Sequence, residues 1–350
     1  MDLQNKPDQL PSEFSGLREL SAEFGQNCLH IQGAGGNASV KDGDIMWIKA
    51  SGTMLGDAIE KDVFVPVNLP RMVTSVLTGK SNADSPAEFL VPGASELRPS
   101  IETSLHAVFK QRVVLHTHCI HTIAHAVQSN ARDLLKKRLS AFNWAFVPYA
   151  KPGANLARSV LDVLTPDTNV IVLGNHGLIV AGETVDAVRA LQLAVHEALR
   201  VEPLHINGPD EDALSSYIDS AYGLPDDPML HQLALSDARV AYVTQGSLYP
   251  DHVIFCGIAV TRLARGQSTS DAADVARQAG APAPICLLVP GAGLLLRKDA
   301  SSGGKTMLRC LSDVIMRLPE TAELNYLTTA ENFELLDWDA EKYRQALNAE

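Results

Sequence analysis

The N-terminal half alternates short apolar runs with glycine-, proline- and polar-rich breaks. Residues 12–26 place Phe14, Leu17, Leu20, Ala22 and Phe24 on a rough helical face behind a capping Ser12. Ala38–Lys41 and Ile45–Lys49 flank Asp42-Gly43, a strong signal for a tight hairpin turn. Ile101–Lys110 reads as a helix entered through Pro99-Ser100. Val113–His118, Asn169–Gly174 and Gly177–Ala181 are apolar runs of strand length, and Phe142–Pro148 is a further apolar stretch. Residues 120–129, 156–164 and 184–201 read as helices. Beyond a Pro-, Gly- and Asn-rich segment at 206–236, residues 239–244, 252–260 and 284–289 read as strands and 304–317 as a helix. The mixture predicts an α/β protein. Strand, Gly turn, strand and helix recur at 169–201 and 283–317, a weak internal echo that places elements without establishing a duplication.

Composition narrows the field. At 350 residues, with 46% hydrophobic and 20% charged residues, the chain can bury a sizeable core and hold two domains. Its net charge of −12 argues against a nucleic-acid backbone or an anionic membrane as main partner, though a local anion pocket remains compatible. Cys28, Cys119, Cys256, Cys286 and Cys310 are odd in number and lack Cys-x-x-Cys spacing, so a disulfide framework or cysteine-only zinc site is not expected. No run suits a membrane span, and the polar stretch from Met1 has no apolar core of a signal peptide. A cytoplasmic protein with thiols kept reduced is the expectation.

Candidate chemistry concentrates between residues 106 and 125, where His106, His116, His118, His121 and His125 fall. His116 and His118 share a face at a strand end, where they serve either as metal ligands or as hydrogen-bonded structural residues. His176, in a glycine-flanked turn between two strands, is the best third candidate. His121 and His125 share a helical face, where they either hydrogen-bond to other ligands or face solvent, or form a second site. Glu102 opens a helix, where the dipole favours a carboxylate with or without catalysis, and His106 stands one turn on. Gly33-Ala34-Gly35-Gly36 precedes a strand rather than a helix, so it is no dinucleotide fingerprint; it either cradles an anion or simply turns the chain. Asp299 occupies the position where Gly303-Gly304-Lys305-Thr306 would need glycine to be a P-loop.

Taken in order, Gly36-Asn37-Ala38-Ser39, Lys49-Ala50-Ser51-Gly52, Pro99-Ser100-Ile101-Glu102 with His106, and Val114-Leu115-His116-Thr117-His118 form one set of motifs. Pro148-Tyr149-Ala150, Pro152-Gly153 and Gly174-Asn175-His176-Gly177 complete it. Over about residues 14–200 this set resembles the class II aldolase/adducin family. Lys49 to Gly52, Pro99 to His106, and Tyr249-Pro250-Asp251-His252 with Glu331 to Trp338 look most like the aldolase half of bifunctional rhamnulose-phosphate aldolase/dehydrogenase proteins, whose dehydrogenase half is not expected here.

The resemblance implies a three-layer α/β/α domain around a mainly antiparallel sheet at 1–205, while the Pro-, Gly- and Asn-rich composition of 206–236 reads as a linker to a smaller α/β domain at 237–350. It implies one divalent metal ion per chain, most often Zn2+, held by His116, His118 and His176. Glu102 would be the catalytic acid/base, with a pKa raised by burial. Gly36, Asn37, Ser51, Gly52 and Ser100 would hold the phosphate or polar end of a small carbohydrate substrate. Ile101 stands where phosphate-specific members often have a second hydroxyl. Tyr149 and Tyr249 are both candidates for a catalytic tyrosine. The implied activity is aldol cleavage of a sugar or sugar-phosphate ketol through a metal-stabilised enediolate, in a homo-oligomer, usually a tetramer. An epimerase, dehydratase or decarboxylase on the same metal, or a non-catalytic adducin-like interaction module, are the alternatives.

Overall fold

A computed structural model describes residues 10–336. It divides into two compact units, the first running to Ala126 and resuming over Ala131–Arg200, the second made of Val127–Asn130 and the chain from Val201 onward.

The first unit begins with α1 (Phe14–Gly25), β1 (Asn37–Asp42), β2 (Ile45–Lys49), β3 (Phe64–Asn68), α2 (Leu69–Leu77) and α3 (Thr103–Ala107). It continues with β4 (Val113–Thr117), α4 (Ile120–Ala126), α5 (Ala131–Arg138), β5 (Trp144–Val147), α6 (Ala154–Leu161), β6 (Val170–Leu173), β7 (Gly177–Gly182) and α7 (Val185–Ala198). Its seven strands form one sheet in the order β3-β2-β1-β4-β7-β6-β5, antiparallel throughout except for the β5–β6 pair.

Strand pleat explains why β6, β7 and the first half of β4 are apolar on both faces. Val113, Leu115, Val170, Val172, Leu178 and Val180 point into one core with Leu17, Leu20 and Phe24 of α1 and Val188 and Val195 of α7. Their neighbours Val114, Ile171, Leu173, Ile179 and Ala181 point into the opposite core with Met72 and Val76 of α2, Leu105 of α3 and Leu156 and Val160 of α6. Helices thus cover both faces of the sheet, the three-layer α/β/α arrangement, and neither face needs polar residues.

The second unit contains α8 (Glu211–Ser215), β8 (Tyr222–Gly223), α9 (Asp237–Thr244), α10 (Pro250–Cys256), β9 (Thr261–Arg262), α11 (Thr269–Gln278), β10 (Cys286–Val289), β11 (Gly293–Arg297), α12 (Ser302–Ile315) and α13 (Thr329–Leu336). Its sheet runs β8-β11-β10-β9. Two expectations change here. Residues 206–236 are not a bare linker: Leu214 and Tyr222 enter the core with Leu287 and Leu295, and β8 pairs with β11. Residues 237–244 and 250–256 are helices where strands were expected. Arg239, Val240, Tyr242 and Val243 are buried at helical spacing, Ser236 caps α9 by accepting from the Arg239 N–H, and Pro250 sits in the first turn of α10. Met1–Gln9 and Trp338 lie outside the described residues.

Candidate metal centre

Sheet register assembles the centre. Asn37 of β1 pairs with His116 of β4, and Thr117 pairs with Leu178 of β7. The β6–β7 turn carrying His176 therefore lies beside the end of β4. Asn175 adopts a left-handed conformation in that turn, with φ of 54°. A Cβ on Gly177 would fall well inside contact distance of the Thr117 carbonyl oxygen, so the close approach of β7 requires glycine there. Glu102, expected in the first helical turn, is instead the N-cap residue of α3, a helix shorter than the sequence suggested.

The ligand atoms of His116, His118 and His176 all lie within 4.8 Å of one another, and all three residues are buried. Ring centroids are separated by 5.0 Å (His116–His118), 4.9 Å (His116–His176) and 5.1 Å (His118–His176). Glu102 Oε1 lies 3.4 Å from His116 Nε2 and 3.6 Å from His176 Nε2. Its other oxygen, Oε2, accepts a 2.6 Å hydrogen bond from Asn37 Nδ2.

The hydrogen bonds test whether a cation belongs there. His116 Nδ1 donates to the Leu178 carbonyl oxygen at 3.0 Å, which leaves the lone pair of the neutral ring on Nε2. Nε2 and a carboxylate oxygen are both acceptors, and they face each other. Such a pair is stable only with a cation or proton between them. Three imidazoles plus a carboxylate also match the donor set of a catalytic zinc-type site. The residues fit a divalent ion.

Glu102 departs from expectation in its acidity. Burial pushes its pKa up, but His116, His176, His118 and His106 together pull harder in the opposite direction, and it settles lowered, at about 2. It is a carboxylate at neutral pH. His106 packs behind it, its Nδ1 2.8 Å from Ser39 Oγ, and burial lowers this ring to about 3.

The expected substrate-binding residues fall on three tied segments. Lys49 is buried, and its ammonium donates to Ala34 O (2.6 Å) in the glycine-rich loop and to Thr53 O (2.8 Å) beyond Ser51-Gly52. The Ser100 N–H donates to Lys49 O, and the Ser51 N–H to Arg98 O. Gly36 has φ of +65°, and a Cβ there would lie 2.9 Å from His116 O. Ser51 and Gly52 are half-buried, whereas Ser100 is buried with its hydroxyl accepting from the Glu102 N–H. Asn37 is engaged with Glu102. Lys49 and Gln32, whose side-chain amide donates to Cys28 O and His118 O, are supporting residues that sequence reasoning gave no role.

Tyr249 is buried in the second unit with its hydroxyl directed to Cys310 Sγ (3.5 Å) and its pKa well raised by burial. Tyr149 is half-buried in the first. The His121 ring stands 4.6 Å from that of His196, while His125 Nε2 donates to Leu199 O.

The family model described as Class II Aldolase and Adducin N-terminal domain matches residues 17–202. An L-fuculose phosphate aldolase of Methanococcus maripaludis is 26% identical over 166 residues, 45% of this chain and 77% of the relative. An uncharacterized oxidoreductase of Bacillus subtilis, YuxG, is 25% identical over 190 residues, 50% of this chain and only 27% of that protein. The N-terminal class II aldolase domain of a Thermoplasma acidophilum protein superposes with a TM-score of 0.48 at 24% identity, covering 57% of this chain and 97% of that one. With the family match spanning more than half of its residues, the chain belongs to the class II aldolase/adducin family.

Proposed function

We propose that the protein is a divalent-metal-dependent lyase of aldolase type that cleaves a small sugar or sugar-phosphate ketol, reversibly. The observation that carries this reading is the triad of His116, His118 and His176 facing the Glu102 carboxylate. A bound zinc-type ion supplies Lewis acidity there, polarising a substrate carbonyl and stabilising the negative charge that develops on it. Glu102 Oε1 is the atom set to move the proton. In the condensing direction the carboxylate takes a proton from the carbon beside the carbonyl; in cleavage its acid form returns one to that carbon. Asn37 fixes the carboxylate through Oε2, leaving Oε1 turned toward the histidines. The segments joined by Lys49 offer backbone and hydroxyl donors for the polar end of the substrate, and with Ile101 in place of a second hydroxyl, both phosphorylated and plain ketoses belong in the assay. A non-catalytic interaction module has no need of this donor set.

Glu102→Gln keeps the hydrogen-bonding shape and removes the base. We expect it to retain metal while kcat falls by about 10²–10⁴, and His116→Ala to lose the metal. Metal analysis with a panel of ketoses and ketose phosphates, followed by product identification, checks both. Full turnover in Glu102→Gln would end the acid/base assignment. Epimerised, dehydrated or decarboxylated products without carbon–carbon cleavage would place the enzyme in another branch of the family.

A further inference from the structure

A second group of donors lies in the same unit and belongs to neither the triad nor the substrate segments. His30, between α1 and the glycine-rich loop, Cys119, just past β4, and His196, near the end of α7, bring their ligand atoms within 4.8 Å of one another. Cys119 Sγ and His196 Nδ1 are 3.5 Å apart. Zinc bonds of about 2.3 Å to sulfur and about 2.0–2.1 Å to nitrogen span about 3.6 Å at a tetrahedral angle, so this pair already stands at ligand spacing. The His30 and His196 rings are 4.3 Å apart between centroids, and the ring of His121 is 4.6 Å from that of His196, a further donor at hand.

The cluster is oriented from outside. Gln192, one turn before His196 on α7, places its amide 3.0 Å from His30 Nδ1 and 3.2 Å from Thr117 Oγ1, linking the cluster to β4; with its oxygen turned to His30 the amide accepts the Nδ1 proton and leaves the Nε2 lone pair for an ion. Phe24 packs edge-on to His30 at 4.8 Å. Burial, followed by the neighbouring His196 and His121, lowers His30 to about 3, so its ring is neutral, the state a metal ligand needs. His30 and Cys119 are buried while His196 is half-buried, which leaves an approach from solvent.

We propose that His30, Cys119 and His196 form a second metal site, for a zinc-class ion, in which Cys119 binds as thiolate and its proton is released on binding. One thiolate and two imidazoles form the borderline-soft donor set that zinc prefers to magnesium or calcium. Cys119 directly follows His118, so an ion here clamps the α1–β1 segment and α7 to the strand end that carries the triad.

The two sites differ in sulfur, and that difference is the test. The 350-residue chain is stripped with a chelator and titrated with Co2+. A thiolate-to-cobalt charge-transfer band in the near ultraviolet is expected at this site, and a centre with histidine and carboxylate donors has none. The band should persist in His116→Ala and disappear in Cys119→Ser, which should bind one ion fewer per chain than wild type. His196→Gln, at a half-exposed position, should lose the same band and ion, covering the case in which Cys119→Ser does not fold. Absence of the band in cobalt-loaded wild type overturns the site, as does its survival in a folded Cys119→Ser or His196→Gln variant. Neither result bears on the His116–His118–His176 centre, whose own failure would show as metal binding unchanged by His116→Ala.

Discussion

Among single residues, Lys49 shows best what a sequence conceals. A lysine at the end of an apolar strand looks like a charge reaching for solvent, yet this one is 2% exposed and spends its protons on two backbone carbonyls. Every residue has a carbonyl, so such partners leave no trace in sequence, and Gln32, which donates to Cys28 O and His118 O, was hidden for the same reason. His116 and His118 were legible because strand period alone puts i and i+2 on one side. The acidity of Glu102 was misjudged because burial was visible in the composition of its surroundings while the convergence of four imidazoles from separate elements was not. Lys49→Met leaves the Ala34 and Thr53 carbonyls without that donor, at a cost of about 1–3 kcal/mol for each buried group left unsatisfied. It also unties the loops expected to hold substrate. The expected outcome is a lower urea midpoint and a raised KM, with metal content and kcat near wild type; a fall in kcat at constant KM would assign Lys49 to the chemistry instead.

At the scale of elements, the first unit was readable because β6, β7 and the start of β4 are covered on both faces and appear as short apolar runs, while β1 and β2 are marked by the Asp42-Gly43 turn between them. The same rule misled in the second unit. Short buried helices such as α9 and α10 are also rich in Val and Ile, and over so few residues a helical period cannot be told from a strand; only the Ser236 cap and Pro250 pointed the other way. Residues 206–236 looked like a linker because their apolar anchors Leu214 and Tyr222 are widely spaced among turn residues. The β6–β7 hairpin is the element most exposed to a small change. Gly177→Ala would drive a methyl group into the Thr117 carbonyl, and backbone cannot yield as a flexible side chain can. We expect the hairpin to lift from β4, carrying His176 away from His116, so that metal affinity falls by at least about tenfold, the equivalent of 1.4 kcal/mol. Competition against a metal indicator measures this, and unchanged affinity would mean that the centre does not depend on the close approach of β7.

For the molecule as a whole, acid is the condition that should weaken both units. His125 in the first is held down to about 4, by burial and then by Arg138, against the bond it donates to Leu199 O. His252 in the second is held down to about 3 by burial, with its Nδ1 accepting from the Leu248 N–H. An unfolded chain protonates both near pH 6.5. The native state therefore binds fewer protons than the unfolded state below that pH, so stability is complete above about 6.5 and drains away as the pH falls toward the native values. Each histidine contributes a loss of about 1.4 kcal/mol per pH unit in that window. Lowered carboxylates such as Glu102 act with the same sign, but only below their ordinary range near 4.5. Urea unfolding followed by circular dichroism should accordingly show a steep drop in midpoint between pH 7 and 5, before carboxylates matter. His252→Asn preserves an acceptor for Leu248 and His125→Gln preserves a donor for Leu199, while neither titrates. The double variant should lose about 3 kcal/mol less than wild type between pH 6.5 and 5, since each unfolded ring is already half protonated at pH 6.5 and reaches the full slope only below it. An identical acid profile in the variant would place the protons on other groups and remove these two histidines from the account of acid stability.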